Sequence, residues 1–150
     1  MAQKPPSIYL DSSIPSAYYN DKDQERQWVT QRAWHERLTS FHLKISNVTI
    51  RELNATTNKR KKRKLLALVK GLDMLMLTPA CIELANEYLR VVTMTKNDAF
   101  HTAIATLYEC DILLSWNFTH MVNYNNQQKI NGINLLHAYR PITIISPYEL

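Results

Sequence analysis

The stretch Asn97–Asn117, NDAFHTAIATLYECDILLSWN, decides the reading of the whole chain. Ala99, Ala103 and Leu107 recur at helical spacing, and Phe100 and Ile104 widen that apolar face. Asn97 is a candidate N-cap, which places Asp98 in the first turn, where the helix dipole favours a carboxylate. Ile112, Leu113 and Leu114 follow as a short continuous apolar run, the pattern of a strand covered on both sides. Polar groups return at Ser115-Trp116-Asn117. A helix running into a buried strand, with an acid at one end and an amide at the other, is one unit of an α/β fold.

Working outward, the same unit recurs. Ser7–Leu10 (SIYL) reads as a first central strand with Asp11 at its carboxyl end. Pro15 can start a short helix, and Asp21 to Leu38 is helical, with Trp28 and Trp34 expected as packing anchors. Phe41–Ser46 (FHLKIS) alternates apolar and polar, a second strand nearer an edge. Ser46 or Asn47 caps a helix that carries Glu52. Asn58 caps another, which runs through Lys59-Arg60-Lys61-Lys62-Arg63-Lys64 to Val69 and ends at Gly71 as a C′ residue. Met74–Leu77 reads as a third strand. Thr78-Pro79 opens a helix expected to pack through Ile82, Ala85, Leu89 and Val92. Beyond the opening stretch come a loop and helix over Phe118 to Tyr139, then a last strand, Ile142–Ser146. Short strands alternating with helices give a three-layer α/β/α sandwich with a central, mainly parallel sheet, expected as a single domain over 1–150.

Composition narrows the class. With 45% hydrophobic and 21% charged residues, the 150-residue chain is ordinary for a soluble globular protein. The start, MAQKPPSIYLD, lacks a signal-peptide apolar core, and no apolar run reaches the ~20 residues that span a bilayer. Cys81 and Cys110 form no metal spacing and read as buried reduced thiols. A cytoplasmic protein without membrane contact is expected. The net charge of +5 is local, because without the six cations of Lys59 to Lys64 the remainder carries −1. Such a block suits a polyanion and also matches a nuclear-import pattern.

In a parallel sheet, ligands bind beyond the carboxyl ends of the strands. Asp11, Glu52 and Asp98, from distant parts of the chain, can converge there, with Asn117 nearby. Clustered carboxylates stay ionised only when a cation joins them, and oxygen donors suit a hard divalent ion, Mg²⁺ or Mn²⁺. His101 reads as a hydrogen-bonding or packing histidine, and His120 as a loop residue rather than a general base.

The segments YLDSSIPSAYYN, ISNVTIRELNAT, NDAFHTAIATLYECDILLSWNF and PITIISPYEL together resemble the PIN domain. The similarity is to VapC-like ribonuclease toxins, in the branch with a tryptophan–asparagine pair after the fourth strand, and it covers nearly the whole chain. The pattern DAxHxAxA at Asp98 to Ala105, with LDSS at Leu10 to Ser13, carries it. The resemblance implies a metal-dependent endoribonuclease, with Asp11, Glu52 and Asp98 as metal ligands. Ser12 matches a hydroxyl residue that follows the first acid and, with Asn117, would orient water or substrate. It further implies a small antitoxin partner and a homodimer; the charge run itself, close after the Glu52 helix, suggests that Lys59, Arg60, Lys61, Lys62, Arg63 and Lys64 draw in RNA. Asn117 stands where many members carry a fourth aspartate, which removes one charge and favours a single metal or one recruited with substrate. Asp111, before the fourth strand, belongs to the opposite end of the sheet. Two other readings stay open: a PIN-fold RNA-binding or scaffold protein without catalysis, and a phosphatase using Asp11 as nucleophile.

Overall fold

The computed structural model describes residues 3–150. Five strands, β1 (Ser7–Leu10), β2 (His42–Ser46), β3 (Asp73–Leu75), β4 (Ile112–Leu114) and β5 (Thr143–Ile145), form one sheet in the order β3-β2-β1-β4-β5. Every pairing is parallel, including Ile8 with Ile112 and Ser7 with His42. The sheet is thus wholly rather than mainly parallel. β2 lies inside it, between β1 and β3.

Seven helices connect the strands: α1 (Ser13–Tyr18), α2 (Gln24–Glu36), α3 (Asn47–Asn54), α4 (Lys59–Val69), α5 (Pro79–Val91), α6 (Lys96–Leu107) and α7 (Tyr124–Leu136). They bury two separate cores, one on each face. Alternation along the strands sorts the side chains: Tyr9 and Leu113 join the core under α5, α6 and α7. Ile8, Leu10 and Leu114 join the core under α1, α2 and α4. Full burial of both faces explains why β1 and β4 read as unbroken apolar runs.

Local chemistry sets the helix boundaries, with some corrections to the sequence pattern. The cap of α6 is Thr95, not Asn97: its hydroxyl accepts the Asp98 N–H at 3.1 Å, and Asp98 Oδ2 accepts the Thr95 N–H at 3.3 Å. This reciprocal capping box starts the helix one residue before Asn97. β3 covers Asp73–Leu75 rather than Met74–Leu77, and as an edge strand it leaves Met74 exposed. On α5 the buried face is Cys81, Leu84, Ala85 and Tyr88, while Ile82 points outward. Trp28, expected to anchor packing, is 59% exposed, and the buried tryptophan is Trp116. Gly71, with φ +87°, closes the turn after α4 as its position suggests. Cys81 and Cys110 are free and buried, and burial pushes the Cys110 thiol up to about 11. Among the described residues no helix is long and apolar enough to cross a membrane.

The strand order reverses direction between β1 and β4. Ligands of doubly wound sheets bind at such a switch point, beyond the carboxyl ends of the strands. Asp11 follows β1 there and Asn117 follows β4.

Candidate active site at the carboxyl rim of the sheet

Asp11 is 3% exposed and continues the β1–β4 pairing, its N–H donating to the Leu114 carbonyl at 3.3 Å. The next turn folds back on it. Ser13 donates its backbone N–H to Asp11 Oδ1 at 3.0 Å, and its hydroxyl donates to the same oxygen. That hydroxyl also accepts the Trp116 N–H at 2.9 Å, so the loops after β1 and β4 are tied together through Ser13. Ser115 adds a second tie, 3.5 Å from the Ser13 hydroxyl and accepting the Asn117 N–H at 3.0 Å. No lysine or arginine pairs with Asp11 among the described residues. Burial therefore raises its carboxyl above the ordinary range, against the opposing pull of the His101 charge and the Ser115 and Ser13 hydroxyls.

Glu52 reaches the rim from α3, which Ser46 caps by accepting the N–H groups of Val48 and Thr49. Its Oε1 meets His101 Nε2, and the imidazole is 1% exposed. The other ring nitrogen, Nδ1, lies 2.5 Å from the Tyr9 hydroxyl, which is 2.6 Å from Ser46 Oγ. With Nε2 donating to Glu52 and Nδ1 facing a Tyr9 hydroxyl that can donate or accept, the chain Ser46–Tyr9–His101–Glu52 is satisfied throughout. Burial alone would raise Glu52, but the His101 hydrogen bond and charge, with Ser12 and Asn97, hold it below its usual range. His101 is thus the hydrogen-bonding residue expected of it, and its role is to orient Glu52.

Asp98, at the start of α6, is the third acid. Its Oδ2 accepts from Asn117 Nδ2 at 3.2 Å and lies 3.3 Å from His120 Nδ1. Asn117 is held at its other end by the His120 N–H, which donates to Oδ1 at 3.0 Å. An amide here gives Asp98 a donor where a fourth carboxylate would face it with like charge.

Ser13, Ser115 and the Asn117 side chain link Asp11 to Asp98 at the rim, while Glu52 is held separately by His101. In each acid the well-formed hydrogen bonds converge on one oxygen: Oδ1 of Asp11, Oε1 of Glu52 and Oδ2 of Asp98. The donor set is all oxygen, and Asp11 pairs with no lysine or arginine among the described residues, both of which suit a hard divalent ion. Yet among the described residues no group of three or more His, Cys, Asp or Glu side chains is placed to hold a metal ion. The three acids are therefore linked positions rather than a finished cage. Ser12, expected to orient water or substrate, has its hydroxyl beside Glu52, while Ser13 is the hydroxyl residue that holds Asp11. The signal was available, since an aspartate after a strand turns back on the residue two positions on. Ser115 and the His120 contact had no comparable sign in the sequence.

The basic block shares a cleft with Asp21 rather than with the three acids of the rim. Lys59 to Lys64 form the first turns of α4, and none of the six makes a salt bridge among the described residues. Arg60, Lys61 and Lys64 line an open cleft of about 510 Å³ with Lys22 and Tyr19, and the Lys64 ammonium stands 5.8 Å from the Tyr19 ring. Cations crowded at the positive end of a helix repel each other and its dipole, and an anion in the cleft would relieve both.

No family model and no curated protein matches this sequence. Solved structures do match it. VapBC-1 from nontypeable Haemophilus influenzae superposes with a TM-score of 0.61 at 13% identity, over 95% of this chain and 98% of the other. VapC20 of Mycobacterium tuberculosis, a sarcin–ricin loop cleaving toxin, gives 0.60 at 18% identity over 73% and 89%. VapBC2 from Rickettsia felis, solved bound to a DNA fragment from its promoter, gives 0.58 at 13% over 93% and 98%. The chain has the PIN-domain fold of VapC toxins. At these identities the likeness is one of fold.

Proposed function

We propose that this protein is a metal-dependent endoribonuclease that hydrolyses RNA phosphodiester bonds, the toxin of a type II toxin–antitoxin pair. The reading is supported by a VapC-like fold in which Asp11 and Asn117 end the two strands at the switch point, with Asn117 bonded to Asp98 and Glu52 bonded to His101 on the same helix as Asp98. Asp11, Glu52 and Asp98 would hold Mg²⁺ or Mn²⁺ through their less engaged oxygens. When bound, the ion acidifies a water for attack on phosphorus and offsets charge on the phosphate oxygens. The protein's share is orientation. Ser13 and Ser115 fix Asp11, His101 fixes Glu52, and Asn117 and the capping box fix Asp98. The Ser12 hydroxyl, beside Glu52, would position the water or a substrate oxygen. The Lys59 to Lys64 block would hold the RNA backbone.

The remaining parts of this reading are a single domain over 1–150, a cytoplasmic location, a homodimer and a small antitoxin. The antitoxin draws support from fold neighbours that are VapBC complexes. Incubating purified protein with single-stranded RNA and Mn²⁺, with Asp11→Asn as control, tests the reading. Cleavage that EDTA and the substitution both abolish is expected; cleavage that survives Asp11→Asn would remove the rim as the active site.

A second reading, an RNA-binding or scaffold protein on the same fold, is favoured by two observations: Asn117 in place of a fourth acid, and carboxylates not assembled around a common point. It predicts RNA binding without cleavage at any Mn²⁺ concentration.

A further inference from the structure

Directly beyond Asn117 the chain leaves two aromatic rings at the surface. Phe118 is 39% exposed and Tyr148, in the short turn Pro147–Glu149 after β5, is 50% exposed. Their rings are stacked, with centroids 6.4 Å apart and planes 20° from parallel. Both stand against Trp116, Phe118 at 6.2 Å and Tyr148 edge-on at 4.9 Å. Trp116 itself needs neither ring for its polar edge, since its indole N–H donates to Thr30 Oγ1 at 2.8 Å. Arg26, from the first turn of α2, holds its guanidinium 5.1 Å from the Trp116 ring and 5.4 Å from the Phe118 ring. An ion pair to Asp23, with Nε and Oδ2 at 3.6 Å, steadies it.

A packing role accounts for Trp116, which is 3% exposed, but not for the π surface that Phe118 and Tyr148 leave in water. Parallel exposed rings beside a cation form the arrangement that binds unpaired bases, because every base has a π face and stacking is tolerant of sequence. Position adds to this. Phe118 is the residue after Asn117, whose side chain is bonded to Asp98, so the rings follow directly in the chain on a residue of the rim. The basic cleft on α4 supplies the matching attraction for a polyanion.

We propose that Phe118 and Tyr148, flanked by Arg26, form a stacking platform for an unpaired nucleobase of single-stranded RNA next to the phosphate addressed by the rim. The inference rests on the ribonuclease reading and adds to it the residues that choose an unpaired strand and fix its register. A duplex, whose bases are already stacked, has no base to offer here.

The test uses the full chain carrying Asp11→Asn and a short fluorescein-labelled single-stranded RNA, with each nucleotide in turn replaced by an abasic one. Stacking predicts that one or two abasic positions weaken binding roughly 5- to 100-fold. Adding Phe118→Leu or Tyr148→Ala should weaken the intact RNA similarly and erase the abasic penalty, while Phe118→Tyr retains both. A purely structural role for the rings cannot produce that loss of the penalty. Abasic penalties that persist undiminished in both variants, or that are absent from the start, overturn the platform. So does normal RNA binding by both variants, which would mark the rings as a protein-docking patch. Cleavage of the intact RNA by the wild-type protein is measured alongside. If the wild type cleaves and the penalties fail, the platform alone falls; if it neither cleaves nor binds RNA, both readings fall together.

Discussion

Two aspartates frame the central strands and are held in opposite ways. Asp11, at the carboxyl end of β1, is buried, lacks a lysine or arginine partner and has its carboxyl raised by that burial. Asp111, at the amino end of β4, accepts the Ser7 N–H at 2.8 Å and pairs with Arg140 at 3.0 Å. The backbone hydrogen bond from Ser7 lowers its carboxyl, outweighing burial, with Arg140 assisting. One acid is neutralised by the fold it stabilises. The other is hydrogen-bonded by Ser13 but buried without a lysine or arginine partner among the described residues, and a carboxyl perturbed in this way at a switch point suits a site rather than a strut. Both sit next to equally apolar strands, so the difference lies in their partners.

The sharpest break of the comparison is to neutralise each acid in turn. Asp11→Asn should reduce Mn²⁺-dependent RNA cleavage by about 10³-fold, as befits loss of a metal-holding carboxylate, while its melting temperature in EDTA stays at or above the wild type. Rates and melting curves on one preparation check both halves. Next in size is the basic cleft. Combined Arg60→Ala, Lys61→Ala and Lys64→Ala should weaken single-stranded RNA binding by roughly tenfold or more. The slope of log K against log salt should flatten by about 0.7 for each phosphate no longer neutralised. Anisotropy titrations across a salt series give both quantities.

Asn117→Asp carries the comparison to the fourth position of the rim. A carboxylate replacing the amide faces Asp98 Oδ2 at the site of the present 3.2 Å hydrogen bond. Stability in EDTA should fall by about 1–2 kcal/mol and recover when Mn²⁺ is added, as urea unfolding with and without metal will show. The smallest effect belongs to Asp111→Asn: about 1 kcal/mol of stability, discounted for the exposure of the pair, with cleavage unchanged. Because its carboxyl is lowered in the fold, the Asp111 contribution is present above the unfolded value and lost as pH falls through the folded one. The variant's stability should therefore vary less with pH on the acid side, where wild type and variant curves converge.

The fold was legible because its strands are buried on both faces and its helices begin with recognisable caps, as at Ser46, Asn58 and Thr78. Asp11, Glu52 and Asp98 were legible as positions, each close to a strand end or helix start. Most of their partners were not. Ser13 is a local turn contact, but Ser115 is set by the pairing of β1 with β4 and His120 by a loop that folds back onto α6. Such contacts depend on three-dimensional neighbours rather than spacing along the chain. Edge and face errors have the same origin: Met74 and Ile82 look apolar enough to be buried, yet β3 ends the sheet and α5 turns a different stripe inward.

The proposed ribonuclease would have carboxylates from three parts of the chain share one cation, and thermal unfolding with graded Mn²⁺ tests that sharing most directly. Wild-type protein should gain stability with Mn²⁺, and Asp11→Asn, Glu52→Gln and Asp98→Asn should each lose most of that gain. A gain undiminished in all three variants would contradict a shared ion.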